Sequence, residues 1–292
     1  MLRRRGRSCS RRSAERDGYA QPVPELPEVE IVRTRLEPLL AGRRLERVEI
    51  LDGRLTRPAE PELVAAELTG ERVESVGRRG KYLAVELESG HVLLVHLRMT
   101  GGFPENGGTH ERAVLELDDG SRVAYRDVRR FGTWVLLAPD EAEKYLAARL
   151  GPEPLGPRFT TAFLVARLRG RQAPVKAAIL DQRTVAGLGN IYADESLWRA
   201  RVNPLRPAGD LDEAEAAALR RGIRAALRRG IVAQGADLGD GVYGGGRMQD
   251  EFKVYGRLGE PCERCGTPIA KTRVAGRGTW YCPACQPGRR AP

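Results

Sequence analysis

Val23-Pro24-Glu25-Leu26-Pro27-Glu28-Val29-Glu30 reads as the opening of a helix that carries a proline, a carboxylate beside it and further carboxylates within one turn. Pro27 suits the first helical position, where its missing N–H has no partner to lose. Val29, Val32, Leu36 and Leu39 then recur at helical spacing as far as Leu40. Glu25, Glu28 and Glu30 therefore gather at the positive end of the helix dipole. By themselves these residues describe a capped amphipathic helix with an acidic first turn. A chemical reading needs the nitrogen of Pro24. As a free secondary amine it can attack an electrophilic carbon and form an iminium, whereas as an amide inside a chain it is inert.

Working outward toward the N-terminus, residues 1–23 have few apolar side chains and no periodicity, so disorder is expected. The apolar centre of a secretory signal is missing. A basic tail for nucleic acid and a targeting peptide both fit this composition. The expectation adopted here is that translation starts at the Val23 codon. The initiating methionine would then be trimmed before the proline, and Pro24 would become the terminus.

Toward the C-terminus, Leu45–Ile50, Tyr82–Leu87, Val92–Leu97, Ala113–Leu117 and Thr133–Leu137 read as strands, with glycine turns at Gly90 and Gly120. A two-layer β-sandwich with the first helix packed on it follows. Gly151-Pro152-Glu153-Pro154-Leu155-Gly156-Pro157 reads as a linker. Beyond it the period becomes helical: Thr161 caps a helix through Leu168, Pro174 opens one carrying Val175, Ile179 and Leu180, Asn190 to Arg199 forms a third, and Asp212 to Arg229 a long fourth. Val185-Ala186-Gly187-Leu188-Gly189-Asn190 joins two of them. Its glycines would let backbone N–H groups approach a phosphate at a helix start, or it is a plain glycine C-cap followed by an asparagine N-cap. Glu195 falls on the apolar face with Ile191 and Trp198, where an arginine partner would be the ordinary account. Gly235 to Gly246 reads as a mobile, glycine-dense loop.

The net charge of +10, supplied almost entirely by arginine, points to a polyanionic partner. No apolar run approaches membrane-spanning length, and no membrane partner is expected. Four of the five cysteines form Cys262-Glu263-Arg264-Cys265 and Cys282-Pro283-Ala284-Cys285, the spacing of a four-thiolate zinc ribbon. Cys262, Cys265, Cys282 and Cys285 would close the coordination shell, so one structural Zn2+ is expected, in a reducing, cytoplasmic setting. Arg273, Arg277, Trp280 and Tyr281 lie between the knuckles, as a surface for DNA or, for the two aromatics, as a cover for the metal.

Seven separated pieces now agree in order. They are Pro24-Glu25-Leu26-Pro27-Glu28-Val29-Glu30, Arg78-Arg79-Gly80-Lys81-Tyr82-Leu83, His96-Leu97-Arg98-Met99-Thr100-Gly101, Arg129-Arg130-Phe131-Gly132, Gly151-Pro152-Glu153-Pro154-Leu155, Gly187-Leu188-Gly189-Asn190-Ile191-Tyr192-Ala193-Asp194-Glu195 and the cysteine ribbon. Together, from Pro24 to about Gln286, the chain resembles the bacterial formamidopyrimidine-DNA glycosylases. The resemblance implies an α+β protein: a disordered extension over 1–23, a catalytic β-sandwich over 24–140 led by its helix, a linker over 141–158, a helix–two-turn–helix domain over 159–250, a zinc finger over 251–286 and a tail over 287–292.

It implies further a monomer acting on damaged double-stranded DNA, flipping out an oxidised purine, excising it and nicking the strand by β- and δ-elimination. By the same resemblance Pro24 attacks the sugar C1′, Glu25 donates the proton that opens the sugar, and Lys81 and Arg277 assist elimination and hold phosphates. Glu28 and Glu195 support the amine. Met99, Arg129 and Phe131 fill the gap left by the flipped nucleotide, though Met99 and Phe131 would otherwise read as core residues. His96, His110, Arg171, Lys176 and Asn190 correspond to DNA contacts. Retention of Met99, Arg129 and Phe131 favours oxidised purines over the oxidised pyrimidines of the sibling endonuclease VIII group. The family's cover for the extruded base falls in Gly235–Gly246, which cannot be aligned residue by residue. Two readings from other classes stand beside this one: a non-catalytic damaged-DNA binder, if Pro24 stays an amide, and a generic zinc-ribbon nucleic-acid module.

Overall fold

A computed structural model describes residues 23–104, 108–237 and 245–288. The expectations for residues 1–22, for most of the Gly235–Gly246 loop and for the last residues of the tail lie outside the described residues.

The opening stretch folds as expected into α1 (Leu26–Leu40), with one correction at its start and one at its end. Glu25 is the N-cap, so Pro27 occupies the second helical position rather than the first. Glu28 reaches back to the Glu25 N–H (3.0 Å) and completes a capping box. Leu26, Val29, Val32, Leu36 and Leu40 are buried, whereas Leu39, read as part of the apolar stripe, is exposed.

After α1 come β1 (Leu45–Ile50), α2 (Pro61–Leu68), β2 (Val73–Arg79), β3 (Tyr82–Leu87), β4 (Val92–His96), β5 (Gly101–Gly102), β6 (Glu111–Leu117), β7 (Arg122–Asp127) and β8 (Thr133–Leu137). They form two four-stranded antiparallel sheets, ordered β1-β6-β7-β5 and β2-β3-β4-β8. On β3 the alternation is plain: Leu83, Val85 and Leu87 are buried while Glu86 faces out. Between the sheets Tyr125 packs edge-on to Trp134 at 5.5 Å, both nearly inaccessible, and truncating either ring would cost about 3–5 kcal/mol. The expected strands all form. Strands β2, β5 and β7 and helix α2 escaped the reading: β2 ends Gly77-Arg78-Arg79 and β7 is bounded by Arg122 and Asp127, which obscure a two-residue period.

Helix α3 (Pro139–Ala147) occupies the start of what was read as linker, with Ala142 and Leu146 inward. The true connection, Gly151–Pro157, has no element of its own but is held on both sides. Arg220 and Arg224 donate to the carbonyls of Pro154, Gly156 and Phe159. Glu153 accepts from Arg78 (3.1 Å), Arg79 (3.0 Å) and the Gly80 N–H, so the linker grips the β2–β3 turn that presents Lys81.

The helical domain comprises α4 (Thr161–Leu168), α5 (Val175–Leu180), α6 (Asn190–Ala200) and α7 (Glu213–Val232). Thr160, not Thr161, caps α4, accepting from the Phe163 N–H at 3.0 Å. Helix α6 is the axis of the molecule, with every residue from Ile191 to Trp198 buried. Packed on it is the hairpin β9 (Ala270–Val274) and β10 (Arg277–Tyr281).

Candidate active site and metal-binding ribbon

Helix α1 meets the N-terminus of α6 through Glu25. Its buried carboxylate accepts the N–H groups of Gly189 (2.8 Å), Ile191 (2.8 Å) and Tyr192 (3.3 Å). A Cβ on Gly189 would collide with the carboxylate, which accounts for that glycine. The phosphate-like site expected at this helix start therefore exists, but a side chain of the chain itself fills it. Nor is Asn190 the cap: Gly189 is, and Asn190 is the first helical residue.

Burial pushes the Glu25 carboxyl up to about 7, with Glu28 raising it further and Lys81 and the backbone amides opposing. At neutral pH Glu25 can thus hold a proton and give it up. Pro24 precedes it in the chain and is itself buried. Glu28 accepts from the Tyr192 hydroxyl (2.7 Å) and the Ala236 N–H (2.9 Å) as well as from Glu25. It is a strut between α1, α6 and the root of the 235–246 loop, and burial raises its carboxyl too.

Lys81 stands half-buried at the head of β3 and makes no hydrogen bond to a described residue. Burial lowers its ammonium; Glu25 pulls the other way and Arg277, exposed at the start of β10, pushes it further down. His96 pairs with Tyr82 across β3 and β4, its ring 4.7 Å from that of Tyr82, and accepts the Arg98 N–H on Nδ1 at 3.0 Å. Burial, then Arg98 and Lys81, press its pKa down to about 3, so His96 is a neutral imidazole.

The three expected gap-filling residues share one rim. Phe131 is half exposed with the Arg129 guanidinium 5.0 Å over its ring, which excludes the core reading for Phe131; Met99 is partly buried on the neighbouring loop. His110 is exposed at the head of β6 with a positive φ of 72°. Arg171 is partly exposed and lies 3.6 Å from Asp181.

One expected DNA contact, Lys176, is fully engaged within the protein, and another, Asn190, is partly so. Lys176 is fully buried, and its ammonium meets Asp194 Oδ1 (2.8 Å), the Gly278 carbonyl (2.9 Å) and the Thr279 hydroxyl (2.8 Å). All three N–H donors are taken, so it fastens the hairpin rather than reaching a phosphate. Asn190 donates to the same Gly278 carbonyl at 3.1 Å. Asp194, to which the sequence reading assigned no role, also accepts the Trp280 N–H (3.0 Å), and burial raises it to about 7 against the pull of Lys176. Its signal was available: a carboxylate beside Glu195 in a helix that also carries Ile191, Tyr192, Leu197 and Trp198. Glu195 is not paired with an arginine. Its Oε1 accepts the N–H groups of Lys253, Val254 and Tyr255 at 2.9–3.1 Å, anchoring the segment that enters the ribbon rather than supporting Pro24.

The four cysteine sulfurs converge within 4.8 Å of one another. Neighbouring sulfurs lie 3.5 to 4.0 Å apart. A tetrahedral ion with metal–sulfur bonds of about 2.3 Å requires edges of about 3.8 Å, so the donor set fits a four-thiolate metal centre. Trp198 donates its indole N–H to Cys262 at 3.4 Å. Trp280 is buried against Tyr255 at 4.6 Å in the ribbon's own core, so it covers the cysteines, while Arg273 and Arg277 stay exposed. Among the described residues no helix is long and apolar enough to cross a membrane.

Fold and site define a three-part α+β protein in which a carboxylate at the start of α1, influenced by a nearby lysine, and a thiolate ribbon both meet the buried helix α6. Three family models match it in order: the formamidopyrimidine-DNA glycosylase N-terminal domain over residues 23–134, the corresponding H2TH domain over 150–240 and a zinc finger found in FPG and IleRS over 259–288. The formamidopyrimidine-DNA glycosylase of Symbiobacterium thermophilum is 47% identical over 91% of this chain and 90% of its own length. That of a Roseiflexus species is 46% identical over 90% of this chain and 100% of its own. The Lactococcus lactis Fpg, solved in complex with DNA containing an oxidised pyrimidine, superposes with a TM-score of 0.84 at 38% identity, covering 90% of this chain and all of that one. The chain belongs to the formamidopyrimidine-DNA glycosylase family.

Proposed function

We propose that this protein is a bifunctional DNA glycosylase and AP lyase that removes oxidised purines, 8-oxoguanine and formamidopyrimidines, from duplex DNA. The observation that carries the reading is Glu25, a carboxyl brought to about 7 by burial, held rigid by three backbone amides beside Pro24. A general acid works best when its pKa lies near the working pH.

The Pro24 nitrogen lone pair attacks C1′, the glycosidic bond breaks, and the base departs with its electron pair and takes up a proton. The nitrogen then loses its own proton. Glu25 delivers a proton to O4′ as the C1′–O4′ bond opens, leaving an iminium. The iminium acidifies C2′; loss of that proton expels the 3′ phosphate, and loss of the C4′ proton expels the 5′ phosphate. Lys81, with its lowered pKa and no hydrogen bond to a described residue, is the base suited to these proton removals. Arg277 would hold phosphate next to it. The four thiolates would hold one structural zinc, and the working form is a monomer whose first residue is Pro24. The alignment of the N-terminal family model from residue 23 supports that terminus.

Borohydride reduction tests the proposal: with Pro24 freed, the protein becomes covalently linked to lesion DNA. A free-terminus protein that binds lesion DNA without linkage would leave only the damage-binding reading. Cys282→Ser should release zinc, measured by metal analysis, and abolish DNA binding. Retained binding after metal loss would contradict the structural role.

A further inference from the structure

Asp127 closes β7 with its side chain buried, although the residues that follow it are exposed. Oδ1 accepts the Thr100 hydroxyl and the Arg129 N–H (3.2 Å), and Oδ2 accepts the Gly132 N–H at 2.7 Å. The Thr100 oxygen in turn accepts the Arg129 N–H at 3.0 Å. Along the backbone the Asp127 N–H donates to the His110 carbonyl (3.0 Å), and its own carbonyl accepts Arg112 Nε at 2.9 Å. One residue thereby ties the loop bearing Met99, the turn bearing Arg129 and Phe131, and the turn bearing His110.

The floor beneath this knot is rigid. The Tyr125 ring is held between Phe103 and Trp134, and a Cβ on either Gly101 or Gly132 would collide with the Tyr125 hydroxyl. Both glycines are required for the two loops to close on each other. Both carboxylate oxygens are used as acceptors. Asp127→Ala would remove them together and free Gly132 and Thr100 from each other, whereas Asp127→Asn, with its oxygen on Gly132, could still donate to the Thr100 oxygen.

We infer that Asp127 is the positioning residue that sets the spacing of Met99, Arg129 and Phe131, and thereby governs which base opposite the lesion is accepted. This rests on the proposed function, in which those side chains occupy the gap left by the extruded nucleotide. A guanidinium reads a base edge through directional hydrogen bonds, so a shift of its anchor erodes discrimination before it erodes catalysis.

The test uses protein with Pro24 freed, comparing Asp127→Ala and Thr100→Val with the unsubstituted chain. Two rates are measured: single-turnover excision from duplexes with the lesion opposite cytosine or adenine, and cleavage of single-stranded DNA carrying a preformed abasic site, where there is no gap to fill. Asp127→Ala should lower the cytosine-to-adenine ratio by roughly tenfold, and Thr100→Val less, with single-strand cleavage within about twofold of the parent. Preserved single-strand cleavage also certifies the fold. An unchanged ratio in both variants, or a loss of single-strand cleavage equal to the loss on duplex, overturns the assignment. An unsubstituted protein that neither excises nor cleaves overturns the underlying function and the assignment with it.

Discussion

Among the described residues two buried carboxylates face a lysine, Glu25 with the half-buried Lys81 and Asp194 with the buried Lys176, and burial drives both carboxyls to about 7. In the second pair the groups touch at 2.8 Å, and the ammonium has two further acceptors on the hairpin. In the first the charges influence each other without forming an ion pair; Glu25 is satisfied by amides, and Lys81 keeps its donors and its lowered pKa. The same two functional groups thus make a strut in one place and a reactive centre in the other. What separates them is whether the lysine's hydrogen bonds are filled by the protein.

That contrast can be broken at either pair. Glu25→Gln removes the proton donor but keeps one oxygen for the α6 amides, so base excision should fall by about 10²–10⁴, with affinity for duplex containing an abasic-site analogue nearly unchanged; equal losses in rate and affinity would show that Glu25 is only a strut. Lys176→Met leaves Asp194 buried without its counter-ion and should cost about 3–5 kcal/mol in denaturant unfolding, much of it recovered by adding Asp194→Asn. A pH series sharpens the comparison. Since folding raises Glu25 and Asp194 to about 7, the folded protein holds protons that the unfolded chain releases above its ordinary carboxylate values. Stability should fall as pH rises from about 4.5 toward 7 and then level, and Asp194→Asn should flatten that slope. Excision should decline above about pH 7 as Glu25 loses its proton, and a flat excision profile through pH 8 would contradict its role as the acid. The smallest change is expected from Lys81→Met: stability within about 0.5 kcal/mol, because no hydrogen bond to a described residue is lost, while strand cleavage is suppressed.

Much of the site was legible from residue types alone. Four thiolates at knuckle spacing predicted a shared centre because metal geometry constrains spacing tightly. The proline and the acidic first turn marked α1, since helix starts obey local rules. Lys176 was misplaced because resemblance transfers residue identity, whereas the partner of a buried ammonium is chosen by what packs against it. The hairpin that meets Lys176 lies about a hundred residues away in sequence. Glu195 failed for the same reason: a buried carboxylate calls for donors, and nothing local says whether they are a guanidinium or three backbone amides.

By itself the sequence determined the elements and the donor groups: an acidic helix start after Pro24, alternating strands, a glycine-framed helix start at Asn190, and the cysteine knuckles. These rest on interactions within a few residues, or on ligand chemistry. The tertiary structure alone decided which carboxylate sits on which helix end, which lysine is saturated and which makes no hydrogen bond to a described residue, and that Asp127 joins three loops. Desolvation and hydrogen-bond saturation are properties of the packed environment, and they exist only once distant segments have closed around a group.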